Sequence, residues 1–338
     1  MKVGFYCWGD PVMGMGHVFR CLALARAARN LNTSLQLEFH LKPGAEGVAA
    51  VLAAGEAVNT LPEGELPRGR WDVLVVDQLQ VPADQMAALR RNCSCLVSVD
   101  DAGPGHWQAD LAFSLLYTCR VPRPVKSRTD SRAGYEYMLI DPAFVLLPHP
   151  VRGRVEQLFL TQGGSDTWNV LAPLVTGLAP WLAAHPHVTL NVHTGPAFRH
   201  EADLEAALAR LSTPWRRYQR VPDLAALFGS MDVAVTAAGV TLFELLAAGV
   251  PCIVTTAEDK ELETAARVAE QGLAVNVGRF GPATGVAVAE ALGTVLDHVQ
   301  RAREIPASRS GLDGRGAERI IRAALDRGRV PIMGEGWR

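Results

Sequence analysis

No apolar run in the 338-residue sequence approaches the ~20 residues of a membrane span, so no transmembrane segment is expected. The short apolar run after Lys2 is interrupted at once by Gly9, Asp10 and Pro11. It is too short for a signal-peptide core of roughly 7–15 apolar residues, and the expected location is the cytoplasm. An excess of one charge is also lacking. Lys and Arg number 33 against 35 Asp and Glu, a net charge of −2. That balance excludes the basic footprint of a dedicated nucleic-acid binder. Cysteine is sparse: Cys7, Cys21, Cys93, Cys95, Cys119 and Cys252 fit no zinc ribbon and no redox pair, and are read as plain thiols. Sequence repeats and low-complexity segments are absent. What remains is 49% hydrophobic and 20% charged, ordinary for a globular chain and too apolar for disorder. The length suggests two domains.

Short apolar runs alternate with helical stretches from end to end. Strands are expected at 2–7, 35–41, 71–77 and 95–100, with helices at 17–30, 44–54 and 82–91. The stretch 148–154, with two prolines and a glycine, reads as a linker. The rhythm then restarts: strands at 157–162, 188–193, 232–236 and 251–254, with helices at 169–184, 199–211, 241–247, 261–270, 283–301 and 314–326. This is the βαβα order of parallel sheets covered by helices. Two consecutive doubly wound α/β domains, 1–150 and 151–330, followed by a tail at 331–338, are expected to face a cleft. Ligands in such sheets sit beyond the carboxyl ends of the strands, so function is sought in the loops there.

The first such loop runs from Gly9 to His17. Gly14 and Gly16 permit positive φ and close approach of a ligand to the backbone. His17 falls at a helix N-terminus, where the dipole disfavours a protonated imidazole and leaves a base suited to take a proton from water or a hydroxyl. The competing reading is a dinucleotide turn or a capping histidine, although the third glycine of the dinucleotide pattern is missing. The second loop, Gly163-Gly164-Ser165-Asp166, offers backbone N–H groups to a diphosphate, or is a tight turn with Asp166 as N-cap. In the third, Gly239 opens a helix. Glu244 follows one turn later among Leu242, Phe243, Leu245 and Leu246, placed to accept hydrogen bonds from ribose hydroxyls rather than to sit on a solvated face. Asp77, Asp100 and Asp101 end strands in the first half. They suit hydroxyl binding, acid–base work or turn formation; with no His or Cys beside them, no metal site is expected.

Several stretches resemble one family. Gly14-x-Gly16-His17-x-x-Arg20-Cys21-Leu22 looks like the opening signature of the UDP-sugar hydrolases of pseudaminic acid biosynthesis, relatives of the GT-B glycosyltransferases. The similarity continues through Asp77, Asp100-Asp101, Gly134-x-x-Tyr137-x-Leu139-Ile140, Gly163-Gly164-Ser165-Asp166-x-x-Asn169 and Gly239-x-Thr241-x-x-Glu244, in order over roughly residues 1–280. The resemblance implies a GT-B-like fold of two Rossmann-like domains. The first would carry the sugar or acceptor and the base, and the second the nucleotide. It implies His17 as the base that activates water against the anomeric carbon of a nucleotide-sugar substrate. The diphosphate would lie at Gly163, Gly164, Ser165, Gly239 and Thr241, and the ribose at Glu244. Gly14, Gly16, Arg20, Asp77, Asp101, Tyr137 and Lys260 would lie on the sugar side. No metal or other cofactor is implied, because backbone donors and helix dipoles offset the leaving-group charge.

The sequence departs from the family on the sugar side. Leu79 replaces an aromatic, Asp141 replaces a frequent Arg, and Lys260-Glu261 replace Asn-Gln. Replacing hydrogen-bonding partners in a polar site changes specificity by large factors, so a different sugar, or an acceptor other than water, is indicated. The leading expectation is a nucleotide-sugar hydrolase. The alternatives are a GT-B glycosyltransferase, in which His17 deprotonates an acceptor hydroxyl, and a nucleotide-sugar binder without turnover. The basic stretch Arg120, Arg123, Lys126, Arg128 and Arg132 is read as a solvated loop.

Overall fold

The computed structural model describes residues 1–8, 15–43, 45–62, 64–116, 121–145, 154–195, 197–304 and 311–329. The chain divides into two compact units: Met1–Leu139 together with the segment from Arg315, and Ile140–Gly314. Unit 1 contains β1 (Lys2–Cys7), α1 (Gly16–Leu31), β2 (Gln36–Leu41), α2 (Ala45–Ala53), β3 (Ala57–Thr60), β4 (Trp71–Asp77), α3 (Ala83–Arg90), β5 (Cys93–Val99), β6 (Leu111–Ser114) and β7 (Asp130–Ala133). Its seven strands are all parallel, in the order β3-β2-β1-β4-β5-β6-β7. Unit 2 contains β8 (Gln157–Thr161), α4 (Leu171–Ala184), β9 (Thr189–His193), α5 (Glu201–Leu208), β10 (Trp215–Tyr218), α6 (Leu224–Gly229), β11 (Val233–Thr236), α7 (Val240–Ala247), β12 (Cys252–Thr256), α8 (Leu262–Glu270), β13 (Ala274–Arg279) and α9 (Thr284–Glu304). Its six parallel strands run β10-β9-β8-β11-β12-β13.

Within each unit the order therefore begins 3-2-1-4-5-6, the doubly wound Rossmann arrangement. The strand order reverses between the first and fourth strands, which opens a crevice at their carboxyl ends. In unit 1 that switch point lies between β1 and β4, and in unit 2 between β8 and β11. The strands at the switch points are apolar in their central residues. Val73, Leu74, Val75 and Val76 of β4, and Leu158, Phe159 and Leu160 of β8, are fully buried, as expected of a sheet covered on both faces.

The last helix, α10 (Gly316–Arg327), returns to unit 1, so the contact boundaries differ from the expected 150/151 and 330/331. Ile320, Ile321, Ala324 and Leu325 are buried against α1, β4 and β5. Its first residue must be small, because a Cβ on Gly316 would lie 2.1 Å from the carbonyl oxygen of Met138. The residues 331–338, and nearly all of the linker expected at 148–154, lie outside the described residues. Five short strands and α6 went unread in the sequence. Strand β10, Trp215-Arg216-Arg217-Tyr218, is polar because it is an edge strand, and it carries no alternating apolar pattern. The described cysteines, Cys7, Cys21, Cys93, Cys95 and Cys252, are free thiols; Cys119 lies outside the described residues.

Candidate functional site

Asp77 is the last residue of β4 and has no solvent exposure (0%). Its side chain points to the face covered by α1, where two residues of the first helical turns meet it. His17 Nδ1 lies 2.7 Å from Asp77 Oδ1. Arg20 binds the carboxylate with both arms of its fork, Nη2 to Oδ1 at 2.6 Å and Nε to Oδ2 at 2.8 Å. The Arg20 guanidinium reaches on towards Asp100, with Nη1 3.5 Å from Oδ2. Burial pushes the Asp77 carboxyl up, but the charge and hydrogen bonds of Arg20, joined by the bond from His17, outweigh it and hold the group below its ordinary range. Asp77 is therefore ionised, and it can only accept. Nδ1 of His17 must then carry the proton and donate it, which leaves the lone pair on Nε2. Arg20 Nη2 also approaches the same Nδ1, at 2.8 Å. This is the orientation of a general base: an imidazole held through Nδ1 by a buried carboxylate, with Nε2 turned away from it.

Asp100 is pushed up from its ordinary range by burial and by the charge of Asp77, against the pull of Arg20 and the N–H groups of Leu116 and Leu115. One guanidinium cannot neutralise two buried carboxylates equally, and the bidentate partner is Asp77. Asp101 is a staple: its Oδ1 accepts the N–H groups of Val81, at 3.0 Å, and Gly103, at 2.7 Å, which ties the β4 and β5 loops together. Burial pushes it up to about 6 against those bonds. Among the described residues no three His, Cys, Asp or Glu side chains are set to hold a metal ion. Tyr137 lies against Phe113, with ring centroids 5.0 Å apart. Gly16 is exposed, with open space at its Cβ position; Gly14 lies outside the described residues.

In unit 2 the loop after β8 is held from below. Thr161 Oγ1 accepts the N–H of Gly163 at 3.3 Å and lies 3.3 Å from Nδ1 of His193, at the end of β9. Gly163 has φ +72°, where only glycine is unstrained, and Gly164 faces open space. The Gly164 carbonyl accepts the N–H of Ala197 at 3.1 Å. Asp166 is spent as a cap: it accepts the N–H groups of Val170 at 2.7 Å and Leu171 at 3.0 Å, so the amino end of α4 already has its anion. The amino end of α7 differs. Its N-cap is Gly239, no side chain caps it, and nothing lies within 4 Å of a Cβ placed there. An incoming anion would find this end open, with Thr241 in its first turn. Ser165 is hydrogen-bonded to Thr167 at 3.0 Å on the surface. Glu244 is pushed up to about 7 by burial first and then by the charge of Asp141.

The departing positions take local roles. Glu261 accepts the N–H groups of Ala257 and Glu258 at 2.8 and 3.1 Å in a capping box. Lys260, 58% exposed at its side chain, pairs with Glu258 at 2.7 Å, and a ligand can compete for so solvated a pair. Asp141 caps the turn Pro142–Phe144 through the N–H of Ala143. Leu79 is exposed, and its carbonyl accepts the Ala102 N–H.

Sequence reasoning missed His193 and Gly195. A Cβ on Gly195 would sit 2.4 Å from Gly164, so the second loop is packed backbone to backbone under the first. The signal was their place at the end of a strand, His193 as its last residue and Gly195 just beyond it. The contrast between glycines gives a test. Gly239→Ala should cost no more than the ~1 kcal/mol of a poorer N-cap, since nothing lies within 4 Å of the added methyl. Gly195→Ala should cost about 1–3 kcal/mol by overpacking. Urea unfolding of the two variants checks the contrast.

Two consecutive α/β units with Rossmann-ordered parallel sheets define a GT-B-like fold, and solved structures share it. The chain aligns with the glycotransferase of kitacinnamycin at a TM-score of 0.64 and 16% identity, covering 98% of this chain and 99% of the other. It aligns with Anabaena Alr3699/HepE in complex with UDP and glucose at a TM-score of 0.62 and 13% identity, covering 96% and 99%. In sequence it is 24% identical over 271 residues to the uncharacterized protein MJ1062 of Methanocaldococcus jannaschii, covering 75% of this chain and 55% of that protein. The chain thus spans about half the length of that relative. It is 23% identical over 291 residues to the spore coat polysaccharide biosynthesis protein SpsG of Bacillus subtilis, covering 82% and 84%. No protein-family model matches the chain. No described helix is long and apolar enough to cross a membrane.

Proposed function

We propose that this chain is a glycosyltransferase acting on a nucleotide sugar, with His17 as its base. The observation that carries the reading is the pair His17 Nδ1–Asp77 Oδ1, 2.7 Å apart and buried, which leaves Nε2 free to take a proton. In the proposed step His17 Nε2 removes the hydroxyl proton of an acceptor as its oxygen bonds to the anomeric carbon. The bond from that carbon to the diphosphate oxygen breaks, and the nucleoside diphosphate leaves with the electron pair. A single displacement of this kind inverts the anomeric centre. Arg20 and Asp77 act through His17. Gly163, Gly164 and Ser165, with Gly239 and Thr241 at the uncapped end of α7, are proposed to hold the diphosphate, and Glu244 the ribose. The likeness to Anabaena Alr3699/HepE, solved with UDP and glucose, supports a uridine nucleotide. The SpsG relative supports a place in polysaccharide assembly.

The resemblance of the His17 motif to UDP-sugar hydrolases supports a second reading, in which water is the nucleophile and a free amino or deoxy sugar is released, as in pseudaminic acid biosynthesis. The structural neighbours favour transfer to a hydroxyl over hydrolysis. A panel of UDP-, CMP- and GDP-sugars, with and without a mixture of hydroxyl acceptors, decides between them. Transfer predicts nucleotide release only with acceptor, and its loss in His17→Ala. Release in buffer alone at full rate identifies the hydrolase. Binding without release under every condition defeats both readings in favour of a binder.

A further inference from the structure

The end of β9 carries a side chain that the proposed step does not use. His193 is the last residue of that strand and stands at the carboxyl edge of the unit 2 sheet, the edge over which ligands of such folds lie. In the register it pairs with Thr161, the last residue of β8. The two side chains also meet, with Nδ1 3.3 Å from Thr161 Oγ1. Phe159, two residues before Thr161, stacks on the imidazole with ring centroids 6.2 Å apart and 22° between the planes. Phe228 of α6 packs on Phe159 in turn, at 5.3 Å. The ring is therefore held by a hydrogen bond on one edge and an aromatic face on one side.

Two contacts join this histidine to the glycine loop. Thr161 Oγ1 accepts the N–H of Gly163 as well, so one hydroxyl touches both loop and ring. Two residues past His193, Gly195 packs against Gly164, where a Cβ would come within 2.4 Å of its backbone. The other ring nitrogen is left over. Nε2 has no hydrogen-bond partner among the described residues, and it reaches solvent. Burial holds the imidazole below its ordinary range, which favours the uncharged ring at neutral pH. A half-buried imidazole that is bonded at Nδ1 and open at Nε2 has one nitrogen to offer a ligand.

We propose that His193 is a further diphosphate-binding residue, whose Nε2 donates a hydrogen bond to an oxygen of the nucleoside diphosphate at the Gly163-Gly164 loop. The proposal rests on the nucleotide reading above and adds a side-chain donor to the backbone N–H groups of that loop. Thr161 has one hydroxyl hydrogen. Its oxygen accepts from Gly163, its hydrogen goes to His193 Nδ1, and the ring proton then sits on Nε2. Loop, hydroxyl and imidazole form one chain that ends in an N–H facing the anion. A bond from that N–H to a charged oxygen is of the stronger kind. Thr161 touches no ligand in this arrangement; it is a positioning residue that sets both its neighbours.

The test reads the imidazole directly. Ring nitrogen signals of the full-length, 15N-histidine-labelled protein are recorded by NMR during separate titrations with UDP, uridine and inorganic pyrophosphate. The His193 signals are assigned by their loss in His193→Gln. The expected result is a saturable shift of Nε2 with UDP and with pyrophosphate, and none with uridine. Affinity for UDP should fall about tenfold or more in His193→Phe, which keeps a ring to stack on Phe159, and less in His193→Gln, which keeps an N–H donor. An Nε2 signal unmoved by saturating UDP overturns the proposal. So does a loss of affinity in His193→Phe that uridine shares in full, which marks a packing role. Should His193→Phe fail to fold, the wild-type shifts and His193→Gln carry the test. A protein that binds neither UDP nor uridine, yet shifts Nε2 with pyrophosphate, loses the nucleotide reading and keeps the anion site.

Discussion

Asp77→Asn is expected to lower turnover by about three to four orders of magnitude while leaving UDP affinity unchanged. The carboxylate compels Nδ1 of His17 to hold the proton. An amide in its place can offer its own N–H, which reverses the tautomer and puts the proton on Nε2, where the base must be empty. His17→Ala should match that loss in turnover. The two variants differ in stability. Asp77 is also the bidentate partner of Arg20, at 2.6 and 2.8 Å, and removing it leaves a buried guanidinium with only Asp100 at 3.5 Å. Breaking one side of a buried pair costs about 3–5 kcal/mol, a large part of the 5–15 kcal/mol that ordinarily holds a domain. His17→Ala breaks no such pair. Urea unfolding and turnover measured on both variants should show equal loss of activity and unequal loss of stability. Wild-type turnover in Asp77→Asn would refute the assignment of His17 as a carboxylate-oriented base. The acid limb follows from the same pair. Asp77 sits below its unfolded value of 3.8, so its contribution is complete above that pH and is lost as pH falls through the lower folded value.

The rhythm of strands and helices was legible because β1, β4, β8 and β11 are buried on both faces and read as unbroken apolar runs. Strands β3 and β10 escaped because they are sheet edges, half-exposed and polar. The return of α10 to unit 1 escaped because its buried residues show an amphipathic helix but not which unit it covers. At the site, His17 and the glycine loops could be picked out from their place after strands. Asp77 was picked out too, as an acid at a strand end, but its pairing with His17 and Arg20 was not. His17 and Asp77 are 60 residues apart in the chain and meet because β1 and β4 are neighbours in a 3-2-1-4 sheet and Asp77 points to the α1 face. Asp101 also satisfies the backbone N–H groups of Val81 and Gly103, across two loops, and Glu261 those of Ala257 and Glu258 in its own turn, roles that only the folded chain reveals. Asp166 was left open between phosphate loop and cap, and its two bonds to the start of α4 make it the cap.

Glu244→Gln should stabilise the protein in mild alkali and weaken it as a nucleotide binder. The Glu244 carboxyl titrates at about 7 in the fold against 4.5 when unfolded, chiefly because it is buried and then because Asp141 is near. The folded chain thus binds the extra proton between those values, and stability falls as pH rises from 4.5 through 7. At about 1.4 kcal/mol per unit, the burden at pH 8 is about 3 kcal/mol. Gln has the same shape and no charge to bury. Glu244→Gln and wild type should therefore unfold at similar urea concentrations near pH 4.5 and diverge by up to about 3 kcal/mol at pH 8, with the variant the more stable. An identical gap at both pH values would show that burial of charge at Glu244 is not the cause. Retaining so costly a carboxylate makes sense if the ionised form has work to do. On the proposed reading it accepts hydrogen bonds from two ribose hydroxyls, each worth about 1.5–3 kcal/mol to a charged acceptor. UDP affinity in wild type should then rise between pH 6 and 8, as the carboxyl ionises. In Glu244→Gln it should be about 10–100-fold weaker at pH 8 and lack that rise. The same substitution separates a strained ribose site from a buried side chain that merely packs, because only the former gains stability and loses ligand together.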